Sequence, residues 1–109
     1  MKVRKLPVEV EAIQFHGIGA ASLDFDLTAE DDGEPPQWLV DAYEAGTIRK
    51  ATADEAAGVH SGILPEWCIW IVTKEGGHVA KPGDWIIRGI AGELYPCDPA
   101  IFAASYEVV

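Results

Sequence analysis

The sequence predicts a single α+β domain: a small curved antiparallel sheet or open barrel, with one main helix at about residues 36–45 and a short C-terminal helix. Three observations carry that expectation. Apolar residues recur at helical spacing between Pro35 and Gly46, and they recur with period two from Ile63 onward. A chain of 109 residues, 49% apolar with four Trp, three Tyr and three Phe, can bury one core without staples.

Residues 3–15 read as a strand. Val8, Val10 and Ala12 alternate with Glu9 and Glu11, and Ile13 and Phe15 then switch parity, which predicts a bulge or bend. Pro7 suits an edge or a strand start. Residues 17–34, with two early glycines and six acids, read as a long surface loop. In PPQWLVDAYEAG, Pro35 and Pro36 suit a first helical turn and Gly46 suits the position just past the last turn. Trp38, Leu39, Ala42, Tyr43 and Ala45 form the apolar stripe between them. Thr47 to Ala51 is a short strand, and residues 52–62 form a loop containing His60.

Trp67 to Thr73 is a strongly β-prone run. A turn at Glu75-Gly76 or Gly76-Gly77 brings back His78 to Lys81, with His78 expected opposite Thr73. Trp67 and Trp70 have opposite parity, so one of them is expected to face a partner or a ligand. Pro82-Gly83 turns the chain into Asp84 to Arg88. With Ile90-Ala91 as the loop, Glu93 to Cys97 pairs back. Asp98-Pro99 is a helix start, Asp as N-cap and Pro at the first helical position, with about one turn running through Phe102. Tyr106 to Val109 is expected to close as a strand.

In that hairpin register Arg88 faces Glu93 and Ile86 faces Tyr95. Trp85, Ile87, Leu94 and Pro96 then share a core face, while Asp84, Ile86, Arg88, Glu93, Tyr95 and Cys97 share the other. Two readings of the second face stay open. It is either plain surface with a cross-strand Arg88–Glu93 pair, or a ligand-facing surface in which Arg88 takes an anion and Tyr95 a flat ring.

The formal charge of −10 is unevenly spread. Between residues 24 and 55, Asp24, Asp26, Glu30, Asp31, Asp32, Glu34, Asp41, Glu44, Asp54 and Glu55 face only Arg49 and Lys50. Such a surface repels nucleic-acid polymers, which need a basic footprint, but it does not exclude nucleotides. No apolar run approaches the ~18 residues of a membrane span, and the opening residues lack a signal peptide's apolar stretch, so a cytosolic protein is expected. Cys68 and Cys97 form no CxxC pair. Packed thiols are expected, and a cross-strand disulfide stays open.

His16, His60 and His78 show no metal-ligand spacing with the cysteines. Ser22, Ser61 and Ser105 lack a nucleophile elbow, Gly17-Ile18-Gly19 lacks a dinucleotide fingerprint, and Asp31-Asp32 reads as solvated loop. The expectation is therefore no catalytic residues, no metal and no cofactor.

Pro82-Gly83-Asp84-Trp85-Ile86-Ile87, Gly89, Gly92-Glu93, Tyr95-Pro96-Cys97, Pro99, Ile101-Phe102 and Tyr106-Glu107 together resemble the C-terminal signature of a widespread family of small phage and prophage proteins. Arg4-Lys5 with Pro7, Val10-Glu11-Ala12 and Gln14-Phe15 is similar to that family's opening. Pro36, Trp38-Leu39 and Gly46 are similar to its middle helix, while residues 17–34 and 52–62 match no part of it. Some widespread small viral proteins are sponges that sequester cyclic-nucleotide signals of bacterial antiphage defence, as anti-CBASS proteins do.

The resemblance implies that role here: a non-enzymatic protein of the infected cell's cytoplasm whose partner is a small nucleotide. Two stacked bases at about 1–3 kcal/mol each and two charged hydrogen bonds at about 1.5–3 kcal/mol each give roughly 5–12 kcal/mol gross, against association costs of about 4–15 kcal/mol. Tight sequestration therefore needs enclosure, and a homodimer or larger homo-oligomer is expected, with Arg88 and Tyr95 near its interface. Lys81, Arg4, Lys5 and Trp70 are the further candidate ligand residues. The competing class is an acidic inhibitor or decoy that binds a host protein through residues 24–34 and 41–55. A hydrolase of the signal has the least support.

Overall fold

The computed structural model describes residues 1–4, 6–18, 23–25, 35–57 and 68–109. In chain order the elements are β1 (Glu11–Ile18), β2 (Leu23–Phe25), α1 (Gln37–Glu44), β3 (Ile48–Lys50), β4 (Ile69–Thr73), β5 (Gly76–Ala80), β6 (Trp85–Arg88), β7 (Leu94–Cys97) and α2 (Pro99–Ser105). They form two antiparallel sheets, ordered β2-β1-β6-β7 and β3-β4-β5. The predicted α+β class stands, as two small sheets and not as a closed barrel.

The core lies where the sheets and α1 meet. The first sheet contributes Ile13, Phe15, Ile86 and Leu94, the second Ile48, Ile69, Ile71 and Ala80, and the helix Leu39 and Ala42. Trp38 packs against this cluster while staying half-exposed. Period two is visible in β4, where Ile69 and Ile71 are buried, Trp70 is half-buried and Val72 is exposed.

Helix α1 begins after Pro36, whose extended backbone (φ −61°, ψ 147°) sets the entry without a side-chain cap. It ends in a Schellman motif. The Gly46 N–H donates to the Tyr43 carbonyl at 3.2 Å and the Thr47 N–H to the Ala42 carbonyl at 2.9 Å. Gly46 takes φ 78°, the left-handed conformation this ending needs, as the sequence predicts. Leu39 and Ala42 are the buried positions, while Tyr43 and Ala45 of the predicted stripe are exposed.

Several expectations need correction. The first strand starts at Glu11, not at residue 3. Glu11 lies opposite Arg88, and β6 ends there, so the preceding residues have no ladder to join. The β1–β6 register is regular from Glu11 to Gln14. The irregularity falls later, against β2, between Phe15 (opposite Phe25) and Gly17 (opposite Asp24), which leaves His16 as the extra residue. The stretch expected as loop from residue 17 holds the end of β1 and all of β2; residues 19–22 and 26–34 lie outside the described residues, as do His60 and Trp67.

The β4–β5 turn is Lys74-Glu75, with Thr73 opposite Gly76 and His78 opposite Ile71. Gly76 takes the positive φ, 115°, immediately after the turn. Tyr106 to Val109 forms no strand, because α2 runs two turns to Ser105 and Tyr106 folds back on it.

The main correction concerns the C-terminal hairpin. Arg88 pairs with Leu94, Ile87 with Tyr95, Ile86 with Pro96 and Trp85 with Cys97, a slip of one residue from the expected register. The loop is Ile90-Ala91-Gly92. The Gly89 N–H donates to the Glu93 carbonyl (2.8 Å), the Gly92 N–H to the Gly89 carbonyl (3.0 Å), and Gly92 takes φ 82°. A one-residue slip reverses the face of every β7 side chain. Ile86, Arg88, Leu94 and Pro96 therefore share the inner face, and Trp85, Ile87, Tyr95 and Cys97 the outer one. Asp84, expected on an exposed face, is buried.

α2 covers the outer face. Asp98 is the N-cap, accepting from the Ala100 N–H at 2.9 Å, and Pro99 fills the first turn. Phe102 stacks on Trp85 (centroids 4.1 Å apart, planes 7° apart) and on Tyr106 (5.1 Å, 19°).

Candidate functional site

An open groove of about 960 Å3 lies between α1, the β4–β5 turn and the β6–β7 loop. Its helical wall is Trp38, Asp41, Ala42 and Ala45, a stripe at i, i+3, i+4, i+7 that turns beside the buried Leu39. Across from it stand His78, Arg88 and Leu94. Trp38 is fixed by its indole N–H, which donates to Glu11 Oε2 at 2.6 Å and so ties α1 to β1.

Arg88 and Trp38 therefore border one space. Arg88 makes no ion pair with Glu11 or Glu93 among the described residues. The Glu93 carboxylate curls over Gly89, where a methyl group would overlap it, and accepts from the Ala91 N–H at 2.9 Å. Asp41 accepts from Gln37 Nε2 at 2.8 Å. Asp41 and Glu93 are thus engaged in local structure, and no ion pair holds the Arg88 guanidinium among the described residues. Lys74 adds a cation to the rim and Glu75 an opposing charge.

Of the other sequence candidates, Tyr95 of β7 also lines the groove, while its phenol oxygen lies 3.4 Å from that of Tyr106. Burial, followed by that hydrogen bond, pushes the Tyr95 hydroxyl up to about 12, so it stays protonated. Arg88 and Tyr95 both border the groove, although the β6–β7 register sets their side chains on opposite faces of the sheet.

Lys81 is committed to structure. Its ammonium lies 2.6 Å from Asp84 Oδ1 and 3.5 Å from Asp98 Oδ2, while its N–H donates to Asp84 Oδ2 at 3.0 Å. The hydrogen bond to Asp84 is the largest of the effects that raise the lysine's pKa. Asp98 is held below the usual carboxylate range, first by the Ala100 N–H it caps.

Arg4 is exposed in the segment before β1, and Lys5 lies outside the described residues. Trp70 lies flat over Gly77, where a methyl group would strike the indole, with the Arg49 guanidinium 6.0 Å above its ring. Trp70 itself does not line the groove. Cys68 and Cys97 are not joined in a disulfide, and burial pushes each thiol up, away from the reactive thiolate.

The residue that sequence reasoning missed is Trp38, assigned only to the helix core. The available signal was the width of the apolar stripe: Trp38, Ala42 and Ala45 reach beyond what a ten-residue helix needs for one buried edge. Among the described residues no cluster of three His, Cys, Asp or Glu could hold a metal ion, and no helix is long and apolar enough to cross a membrane. Comparison with family models, curated proteins and solved structures finds no match to this chain.

Beside Trp70, Arg49 grips Glu55 with two bonds of 2.8 and 2.7 Å, and Glu55 also accepts the Thr52 N–H at 2.9 Å. The Arg49 bonds first, then Thr52, hold Glu55 at about 2. A depressed carboxylate contributes stability that is complete above its unfolded value, about 4.3, and lost as pH falls through the folded one. We expect the urea midpoint to fall between about pH 5 and pH 2, and Glu55→Gln to flatten that part of the profile. An unchanged acid slope would show that Glu55 is not held in this way.

Proposed function

We propose that this protein is a non-catalytic binding protein that holds a small anionic, ring-bearing ligand of the cyclic-nucleotide class in the α1–hairpin groove. One observation carries the proposal: an Arg88 without an ion pair borders the same groove as the half-exposed indole of Trp38. The guanidinium suits a phosphate and the indole suits a base. Such pockets commonly enclose about 300–1,000 Å3, and this one lies at the open end of that range.

The resemblance of the C-terminal block to small phage proteins supplies the setting, sequestration of an antiphage signal in the cytoplasm of an infected cell. An open groove holds such a ligand weakly, so the proposal includes a homodimer or larger homo-oligomer that closes it.

The test is thermal unfolding against a panel of cyclic di- and trinucleotides and ADP-ribose signals. At ligand 100-fold above Kd the stabilisation should be about 2.7 kcal/mol, a shift of several degrees. Arg88→Ala should weaken binding about tenfold or more, and Trp38→Ala by a comparable factor. Ligand recovered intact supports storage, and recovery of a cleaved product overturns it. No shift across the panel also overturns it and turns attention to the acidic surface and a protein partner.

A further inference from the structure

Residues 1–4 and 6–10 belong to no helix or strand and make no backbone–backbone hydrogen bond among the described residues. Their apolar side chains are unusually open, with Val3 at 86%, Leu6 at 77% and Val8 at 53% exposure. Yet Val8-Glu9-Val10-Glu11 has strand alternation and runs directly into β1. A strand-patterned segment without a strand partner is an unpaired edge.

Its charge is ordered along its length. Lys2, Arg4 and Lys5 come first, and Glu9 and Glu11 follow, in a chain whose remaining residues are strongly acidic. Two copies laid parallel would set like charges together, whereas antiparallel copies set each basic end against the other's acidic end.

We propose that this segment pairs with the same segment of a second copy as an antiparallel, two-fold ribbon that joins two β2-β1-β6-β7 sheets into one. The backbone supports that register. The Phe15 N–H donates to the Asp84 carbonyl at 2.8 Å, and Ile13 and Glu11 lie opposite Ile86 and Arg88. Odd-numbered residues of β1 thus bond toward β6 and even-numbered ones away from it. Carried back along the ribbon, Leu6, Val8 and Val10 offer their N–H groups to the incoming strand. Pro7, which has none, falls on the other side. An isologous contact of this kind closes on itself as a dimer.

Sedimentation equilibrium of the full chain tests it, with circular dichroism to confirm that each variant folds. The wild type should dimerise, more weakly as salt rises. Lys2→Glu with Arg4→Glu should raise the dissociation constant about tenfold or more. Glu9→Lys should weaken the dimer in the same way, and an equimolar mixture of the two variants should regain it. A monomer at every concentration, or a dimer indifferent to these substitutions, overturns the inference. The latter result leaves the groove proposal standing, because ligand binding is read separately.

Discussion

Replacing Ile86 by alanine is expected to cost about 2–5 kcal/mol, a large share of the roughly 5–15 kcal/mol that holds a domain of this size. Ile86 is fully buried, flanked by Ile13 on β1 and Pro96 on β7, and it faces the cluster shared by both sheets and α1. Its neighbours are drawn from several elements, so the vacated space cannot close without moving at least one of them. A fall in melting temperature of about 10 °C or more should follow, with Ile86→Val giving about a third of the effect. A change within about 0.5 kcal/mol would show that Ile86 does not fill this core.

Phe102→Ala is the second large effect, at about 2–4 kcal/mol. Core Phe losses run to about 3–5 kcal/mol, and Phe102 is only half-buried, but it forfeits two stacking contacts at once. No residue of α2 is fully buried, so the helix has little besides this stack and the Asp98 cap to hold it on β6 and β7. Hydrogen exchange should accelerate at Phe102 and Tyr106, whose N–H groups bond to the Asp98 and Phe102 carbonyls, before it does in β6. Phe102→Leu should retain part of the stability but lose the near-ultraviolet signal of the stacked rings. Stability unchanged within about 0.5 kcal/mol would mean that α2 docks by other means.

The elements legible in the sequence are those whose signals are local. Pro36, the Leu39/Ala42 spacing and Gly46 specify α1 nearly to the residue, and Asp98-Pro99 marks the start of α2. The β6–β7 loop was legible in principle. A two-residue hairpin loop needs positive φ at one or both of Ile90 and Ala91, which β-branched and Cβ-bearing residues resist, whereas a three-residue loop places that demand on Gly92. Ile90-Ala91 as the loop would put Tyr95 opposite Ile86, on the Arg88 face, whereas the three-residue loop pairs it with Ile87 on the outer one.

The start of β1 was not legible, because alternation in Val8 to Glu11 says nothing of where a partner strand stops. The groove was less legible still. Arg88 and Trp38 stand fifty positions apart in sequence, and only the β1–β6 pairing and the Trp38–Glu11 hydrogen bond bring them together.

That same β1–β6 pairing sets the order in which the chain can assemble. The β4–β5 and β6–β7 hairpins join near neighbours in sequence and can close in about 1–10 μs each. β1 must wait for residues 85–88, across nearly the whole chain, and such distant pairing is the slow part of folding. On a ribosome β1 could pair early with β2, but its other edge would stay open until β6 has cleared the exit tunnel. The first sheet is thus completed late, when β6 and β7 join the β1–β2 pair.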